Sequence, residues 1–256
     1  MLPSEGIGAA IRAANASGRP AIVAFMTAGF PDRAGFIATL NRIGEAADVI
    51  EIGVPFSDPM ADGMTIQRAS QVALRDGVTL KWILDELTGA PTRPAAPLLL
   101  MSYLNPLLRF GAQALALAAN RAGVSGFIVP DLPYEESADL AAALSAHGMA
   151  LVQMVTPVTP AERLERLCAN AQGFVYAVTM TGTTGKQADV PQDVLAYLDR
   201  VKRASSAPVC AGFGIRSREQ VTRLASHVDG VVVGSALVEA LERRDDPAAF
   251  LRALRS

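Results

Sequence analysis

DVIEIGVPFSDPMADG (48–63) opens, after Asp48, as a short apolar run interrupted by Glu51, and continues into a loop with two prolines and two more acids. Alternation along DVIEIGV puts Ile50, Ile52 and Val54 on one face of a strand, and Val49, Glu51 and Gly53 on the other. Seven more runs of this kind occur: AIVAFMT (21–27), PLLLMSY (97–103), GFIVPD (126–131), MALVQMV (149–155), GFVYAVT (173–179), APVCAGF (207–213) and DGVVVGS (229–235). Most are nearly continuous in apolar character, as parallel strands covered on both faces are. Amphipathic segments lie between them at 35–47, 111–123, 136–148, 161–171 and 217–227, the last four with apolar residues at i, i+3 and i+4. Eight such units predict an α/β fold, a (β/α)8 TIM barrel, as one domain over residues 1–256. A doubly wound open sheet is the alternative. The count of eight, and the lack of a GxGxxG after the first run, favour the barrel.

The composition narrows the partners. Half of the 256 residues are hydrophobic, enough for a core without metals or disulfides. A net charge of -2 and no strongly basic segment argue against nucleic acid. No apolar run approaches the roughly 20 residues that span a bilayer, so no membrane partner is expected. The first 25 residues lack the basic and apolar regions of a signal peptide, and Cys168 and Cys210 read as reduced, buried thiols, so a cytoplasmic location is expected. No metal-ligand cluster or Ser-His-Asp signature stands out, so no metal is expected.

In a barrel the chemistry sits in the loops that follow the strands. The Ile-rich face of 48–54 meets the helix layer, which points Glu51 into the barrel near its mouth. Desolvation there raises a carboxyl pKa and lets it hold a proton near neutral pH, as a general acid or a switching acid/base must. The bland reading is a glutamate paired with a barrel Lys or Arg, but none of the eight runs contains either. Pro55 and Pro59 exclude a helix through the following loop and stiffen it, so it can hold Asp62 at a fixed distance from Glu51. Asp62-Gly63 can equally be a turn signal, and Asp58 before Pro59 a capping residue.

GFGIRS after the seventh run and VVVGSAL at the end of the eighth place glycines where backbone N–H groups approach an anion closely. Loops after the last two strands form the recurring phosphate site of barrels, so a phosphomonoester substrate is expected. TGTTGKQADVP (181–191) fits a lid that closes over substrate, and equally an ordinary loop.

EIGVPFSDPMADG followed by TIQRAS closely resembles the signature of the tryptophan synthase alpha subunit family. FMTAGFPD, LLLMSYLNPLLRFG, VPDLPYEES, TGTTG, GFGI and VVVGSAL match it in order over nearly the whole chain. The resemblance implies a TIM barrel that cleaves indole-3-glycerol phosphate to indole and glyceraldehyde 3-phosphate. The indole passes through a tunnel to a beta subunit in an α2β2 assembly, and pyridoxal phosphate belongs to that partner, with no cofactor in this chain. Carried over, the catalytic residues are Glu51, as proton carrier, and Asp62, as the anion that holds the indole N–H. Gly185, Gly214, Gly234 and Ser235 match the phosphate-binding backbone. Phe25, Tyr103, Ile128, Tyr176 and Phe213 match the indole pocket, and Thr184 the lid. Asp58, Asn105 and Pro133 fall in loops that face the beta subunit.

The chain departs from the family pattern at Met64, where proline is usual, and at Thr179, where serine is common. Neither removes a reacting group. Three other functions remain as alternatives: a regulatory subunit that turns over poorly, a stand-alone indole-producing lyase, and another sugar-phosphate barrel enzyme such as a phosphoribosyl isomerase.

Overall fold

The computed structural model describes residues 2–179, 190–212 and 214–255. The chain begins with α1 (Pro3–Ala16), then alternates through β1 (Ala21–Thr27), α2 (Phe36–Gly44), β2 (Val49–Gly53), α3 (Met64–Arg75), α4 (Leu80–Gly89), β3 (Leu98–Met101), α5 (Leu104–Phe110), α6 (Ala112–Arg121) and β4 (Val124–Ile128). It continues with α7 (Ala138–Ser145), β5 (Ala150–Leu151), β6 (Gln153–Val155), α8 (Ala161–Ala169), β7 (Val175–Val178), α9 (Gln192–Ala204), β8 (Val209–Gly212), α10 (Arg218–Leu224), β9 (Gly230–Val233), α11 (Ser235–Glu242) and α12 (Pro247–Leu254).

The strand order is β5-β4-β3-β2-β1-β9-β8-β7-β6, and every pair is parallel. The two outermost strands of that order, β5 and β6, are separated in the chain by Val152 alone. A sheet whose two edges are joined by one residue must curl round and close, which is what makes this a barrel and leaves no open doubly wound sheet.

The run at 149–155 predicted one strand, and the structure divides it. Val152 still donates its N–H to the Phe127 carbonyl at 2.9 Å on the β4 side, whereas Gln153 pairs with Val175 of β7. The chain changes partners at this point, so neither ladder runs through it.

The five amphipathic segments appear as α2, α6, α7, α8 and α10. Further helices carry local start signals: Thr79 accepts the Trp82 N–H at the head of α4, and Asp246 accepts the Ala248 N–H ahead of Pro247 in α12.

The core has two layers. Ile22, Ile50, Ile52, Leu100 and Phe127 pack outward against the helices. Val23, Val49, Leu99, Ile128, Val152, Phe174, Cys210 and Val232 fill the inside of the barrel, joined there by Ile7, Ile11 and Ala14 of α1. Helix α1 thus closes the floor of the barrel. It is tied in place by Ser4 N–H on the Gly148 carbonyl (2.9 Å) and by Asn15 Nδ2 on the Asp229 carbonyl (2.7 Å). Two strand-leading aspartates staple the same rim: Asp48 takes both Arg19 guanidinium nitrogens (2.7 and 2.8 Å) and the Ile22 N–H, and Asp229 takes the Val209 N–H at 2.8 Å.

Because Ile11 is wholly buried, Ile11→Ala should cost about 2–5 kcal/mol in urea unfolding. A loss below about 1 kcal/mol would mean that α1 is a surface appendage, not the floor.

Candidate active site

The active face is built up from β2. Its register, Phe25↔Glu51 on one side and Glu51↔Leu99 on the other, sets Glu51 on the inward face one residue pair above Val49. Glu51 is wholly buried, and neither carboxyl oxygen has a hydrogen-bond partner among the described residues. Burial, with a smaller contribution from the charge of Asp62, pushes its pKa up to about 8. The group therefore carries its proton at neutral pH. Beside it, Gly53 leaves room for the Phe25 ring, because a Cβ at position 53 would lie 2.5 Å from that ring.

The loop after β2 delivers Asp62 and is held from three sides. The Tyr103 hydroxyl accepts the Ala61 N–H at 2.8 Å and also bonds the Asp62 carboxylate. The Phe56 ring stacks on Tyr103 with centroids 5.2 Å apart. Gln67, in the first turns of α3, donates its side-chain amide to the Asp62 carbonyl at 2.8 Å. Met64 begins α3 and is exposed. Asp62 therefore does not depend on a proline at position 64 for its placement. Burial raises the Asp62 pKa, and the Tyr103 hydrogen bond opposes that shift.

Glu51 and Asp62 share a cavity of about 150 Å³ with Phe25, Tyr176, Gly212, Gly214, Gly234 and Ser235. The two glycine turns thus meet at one end of the cavity that holds the two acids. Gly214 has a positive φ of 61°, and nothing lies within 4 Å of where its Cβ would be. Gly234 precedes α11, whose first residue is Ser235, so the N–H groups of a helix start face this end. Arg216, close in sequence, is committed elsewhere, to Glu239 at 2.6 Å.

Of the expected indole-pocket residues, Phe25 and Tyr176 line the cavity. Tyr103 and Ile128 are not among its lining residues: Tyr103 acts through its hydroxyl on the Asp62 loop, and Ile128 is wholly buried in the inner core. Gly185, Thr184 and Phe213 lie outside the described residues. Asp58 and Pro133 are exposed on the loops after β2 and β4, with Met60 exposed in the first of them. Asn105, expected in a loop, lies instead exposed on α5, as does Leu108, because the segment after β3 turns directly into that helix.

Residues 11–254 match the family model described as "Tryptophan synthase alpha chain". The chain belongs to the tryptophan synthase alpha chain family. It is 48% identical over 244 residues to the tryptophan synthase alpha chain of Desulfovibrio desulfuricans, covering 94% of this chain and 96% of that one. It is 42% identical to that of Bacillus mycoides, over 96% of both. Among solved structures, tryptophan synthase from M. tuberculosis in its aminoacrylate-bound form superposes with a TM-score of 0.86 at 35% identity, over 97% of each chain. The alpha subunit from Legionella pneumophila superposes with a TM-score of 0.87 at 31% identity, over 99% of this chain and 97% of that one. The reaction of tryptophan synthase alpha chains is cleavage of indole-3-glycerol phosphate, and their name implies a beta partner.

Sequence reading alone did not single out Met101, Val232, Ile66 or Gln67. Met101 and Val232 were open to the alternation that found Glu51, since they share inward faces with Leu99 and Gly234. Gln67 carried no such signal. Its role depends on where α3 starts, and nothing in DGMTIQ marks Gly63 as the cap.

Two outcomes follow from these ionisations. The folded-state pKa of Glu51 lies above its usual 4.5, so the folded chain keeps a proton that the unfolded chain sheds. Stability is then full below about pH 4.5 and is lost as pH rises toward about 8. Urea unfolding at pH 5.5 and 8.5 should show a loss in the wild type that Glu51→Gln largely removes; equal losses in both would refute the burial argument. Separately, Tyr103→Phe removes a bond that lowers the Asp62 pKa. The acid limb of the rate profile should therefore move to higher pH. An unmoved limb would detach Tyr103 from Asp62.

Proposed function

We propose that this chain is a carbon–carbon lyase that cleaves indole-3-glycerol phosphate by a retro-aldol reaction, with Glu51 and Asp62 as its catalytic residues. The observation that carries this reading is the buried, unpartnered Glu51 carboxyl facing Asp62 in a cavity that ends in two glycine turns.

The bond to be broken joins C3 of the indole to the first carbon of the glycerol phosphate. Protonated Glu51 gives its proton to C3, and the positive charge that develops spreads to the indole nitrogen. Asp62, as an anion, accepts a hydrogen bond from that N–H and stabilises the charge. Glu51, now a carboxylate, takes the proton of the substrate hydroxyl as the C–C bond breaks. The electron pair returns to the ring, indole leaves neutral, and glyceraldehyde 3-phosphate forms. Glu51 ends protonated, ready for the next cycle, and a pKa near neutrality serves both directions of transfer. Backbone N–H groups at Gly214, Gly234 and Ser235 take the phosphate, with Gly185 completing the set. Phe25, Tyr176 and Phe213 flank the indole, and Thr184 belongs to the lid.

The indole then passes to a beta subunit in an α2β2 complex, reached across the face bearing Asp58, Asn105 and Pro133. Pyridoxal phosphate belongs to that subunit, and this chain uses no cofactor of its own. No helix among the described residues is long and apolar enough to cross a membrane, and a cytoplasmic location is part of the same proposal.

The test is indole release from indole-3-glycerol phosphate, with and without beta. Wild type should release indole, and beta should stimulate it. Glu51→Gln should lose activity by at least about 10²-fold while keeping its circular dichroism spectrum. Full activity in Glu51→Gln would end this mechanism, and strong activity without stimulation by beta would favour a stand-alone lyase.

A further inference from the structure

One carboxylate outside the cavity bonds residues that stand next to both halves of the site. Glu239 lies on α11 four residues after Ser235, one turn further along the same helix face. Its Oε2 takes Arg216 Nη1 at 2.6 Å and its Oε1 takes Arg216 Nη2 at 2.9 Å, a two-pronged pair. Arg216 follows Gly214 by two residues, and its backbone N–H is fixed by the Gln220 side chain at 2.8 Å. The same Oε1 of Glu239 accepts the hydroxyl of Thr65 at 3.2 Å. Thr65 follows Asp62 by three residues, in the first turn of α3. Three segments therefore converge on one carboxylate: the turn after β8, the helix that starts at the Gly234 turn, and the helix that starts behind Asp62. Glu239 is only about a quarter exposed, and Arg216 holds its carboxyl below the usual range, so it stays ionised near neutral pH.

We propose that Glu239 is a positioning residue: by gripping Arg216 and Thr65 together, it fixes the spacing between the phosphate-binding turns and the loop that carries Asp62. Phosphate binding and placement of the anion at the indole nitrogen are thereby made one event. The inference rests on the roles given above to Gly214, Gly234, Ser235 and Asp62. A simpler account is that α3 merely docks on α11. The structure supplies the control for it, since Arg68 of α3 pairs with Glu242 of α11 at 3.0 and 2.6 Å through the next residue of each helix that faces the other, without touching either turn of the site.

The experiment compares Thr65→Val, Glu239→Gln, Glu239→Ala, the Thr65→Val/Glu239→Ala double variant and Arg68→Ala in the complex with beta. It measures kcat and KM for indole release, and the Kd of glycerol 3-phosphate as a probe of the phosphate site alone. Thr65→Val, which keeps its shape, should lower kcat about three- to tenfold and leave the probe Kd within about twofold. Glu239→Ala should lower kcat and also weaken the probe, Glu239→Gln should lie between it and wild type, and the double variant should lose no more kcat than Glu239→Ala. Arg68→Ala should change neither quantity.

Wild-type kinetics in Thr65→Val, additive losses in the double variant, or the same losses in Arg68→Ala would each overturn the proposal. If the wild type releases no indole, the assigned reaction has failed, and probe binding alone then decides. Weakening in Glu239→Ala but not in Arg68→Ala supports the link, and unchanged binding in Glu239→Ala overturns it.

Discussion

A carboxyl group buried in the barrel with no hydrogen-bond partner among the described residues is the constraint from which the rest of this site follows. Glu51 is surrounded on its own face by residues of the inner core and has no cation in reach among the described residues. Burying such a group opposes folding, and the barrel bears that opposition through a closed ladder of parallel strands and a fully packed floor. The return is a proton held near neutral pH at a fixed point. A lysine or arginine beside Glu51 would relieve the strain on folding and lower its pKa, and the group would no longer be an acid at neutral pH.

The second acid is managed in the opposite way. Asp62 sits in a loop, and its placement is secured by neighbours bonding its backbone and carboxylate instead of by a strand. Tyr103 and Gln67 come from different elements, β3's exit and α3, and both act on this short segment. The two acids thus differ in environment, one wholly buried and without a partner among the described residues, the other bonded and less buried. That difference separates a proton carrier from a stabilising anion.

Period-two alternation in DVIEIGV decided that Glu51 faces inward, and the structure agrees because β2 is buried on both faces and has no freedom to slip its register. The two late glycine turns were legible because glycine at a strand end admits backbone angles closed to other residues and a close approach of the chain, as Gly214 with its positive φ does. The role of Tyr103 was not legible. Beside the indole-pocket place that its family position gives it, its hydroxyl meets Ala61 and Asp62, a contact between residues far apart in sequence. The break at Val152 was hidden for the same kind of reason. MALVQMV is apolar but for Gln153, and only the geometry of closure dictates where the chain leaves β4 for β7.

The floor of the barrel has a consequence for how the molecule is made. Helix α1 precedes every strand in the chain, yet the inner core cluster that holds its Ile7 and Ile11 draws on β1, β2, β3, β4, β5, β8 and β9. Its last wall exists only once β9 has paired with β1 along Ala21↔Gly230 to Ala24↔Val233. Ile7 and Ile11 must wait, apolar and unhoused, until the strands up to β9 have been made. During biosynthesis α1 is therefore an apolar segment left exposed while the later strands are made, and a natural point of engagement for any factor that shields nascent chains.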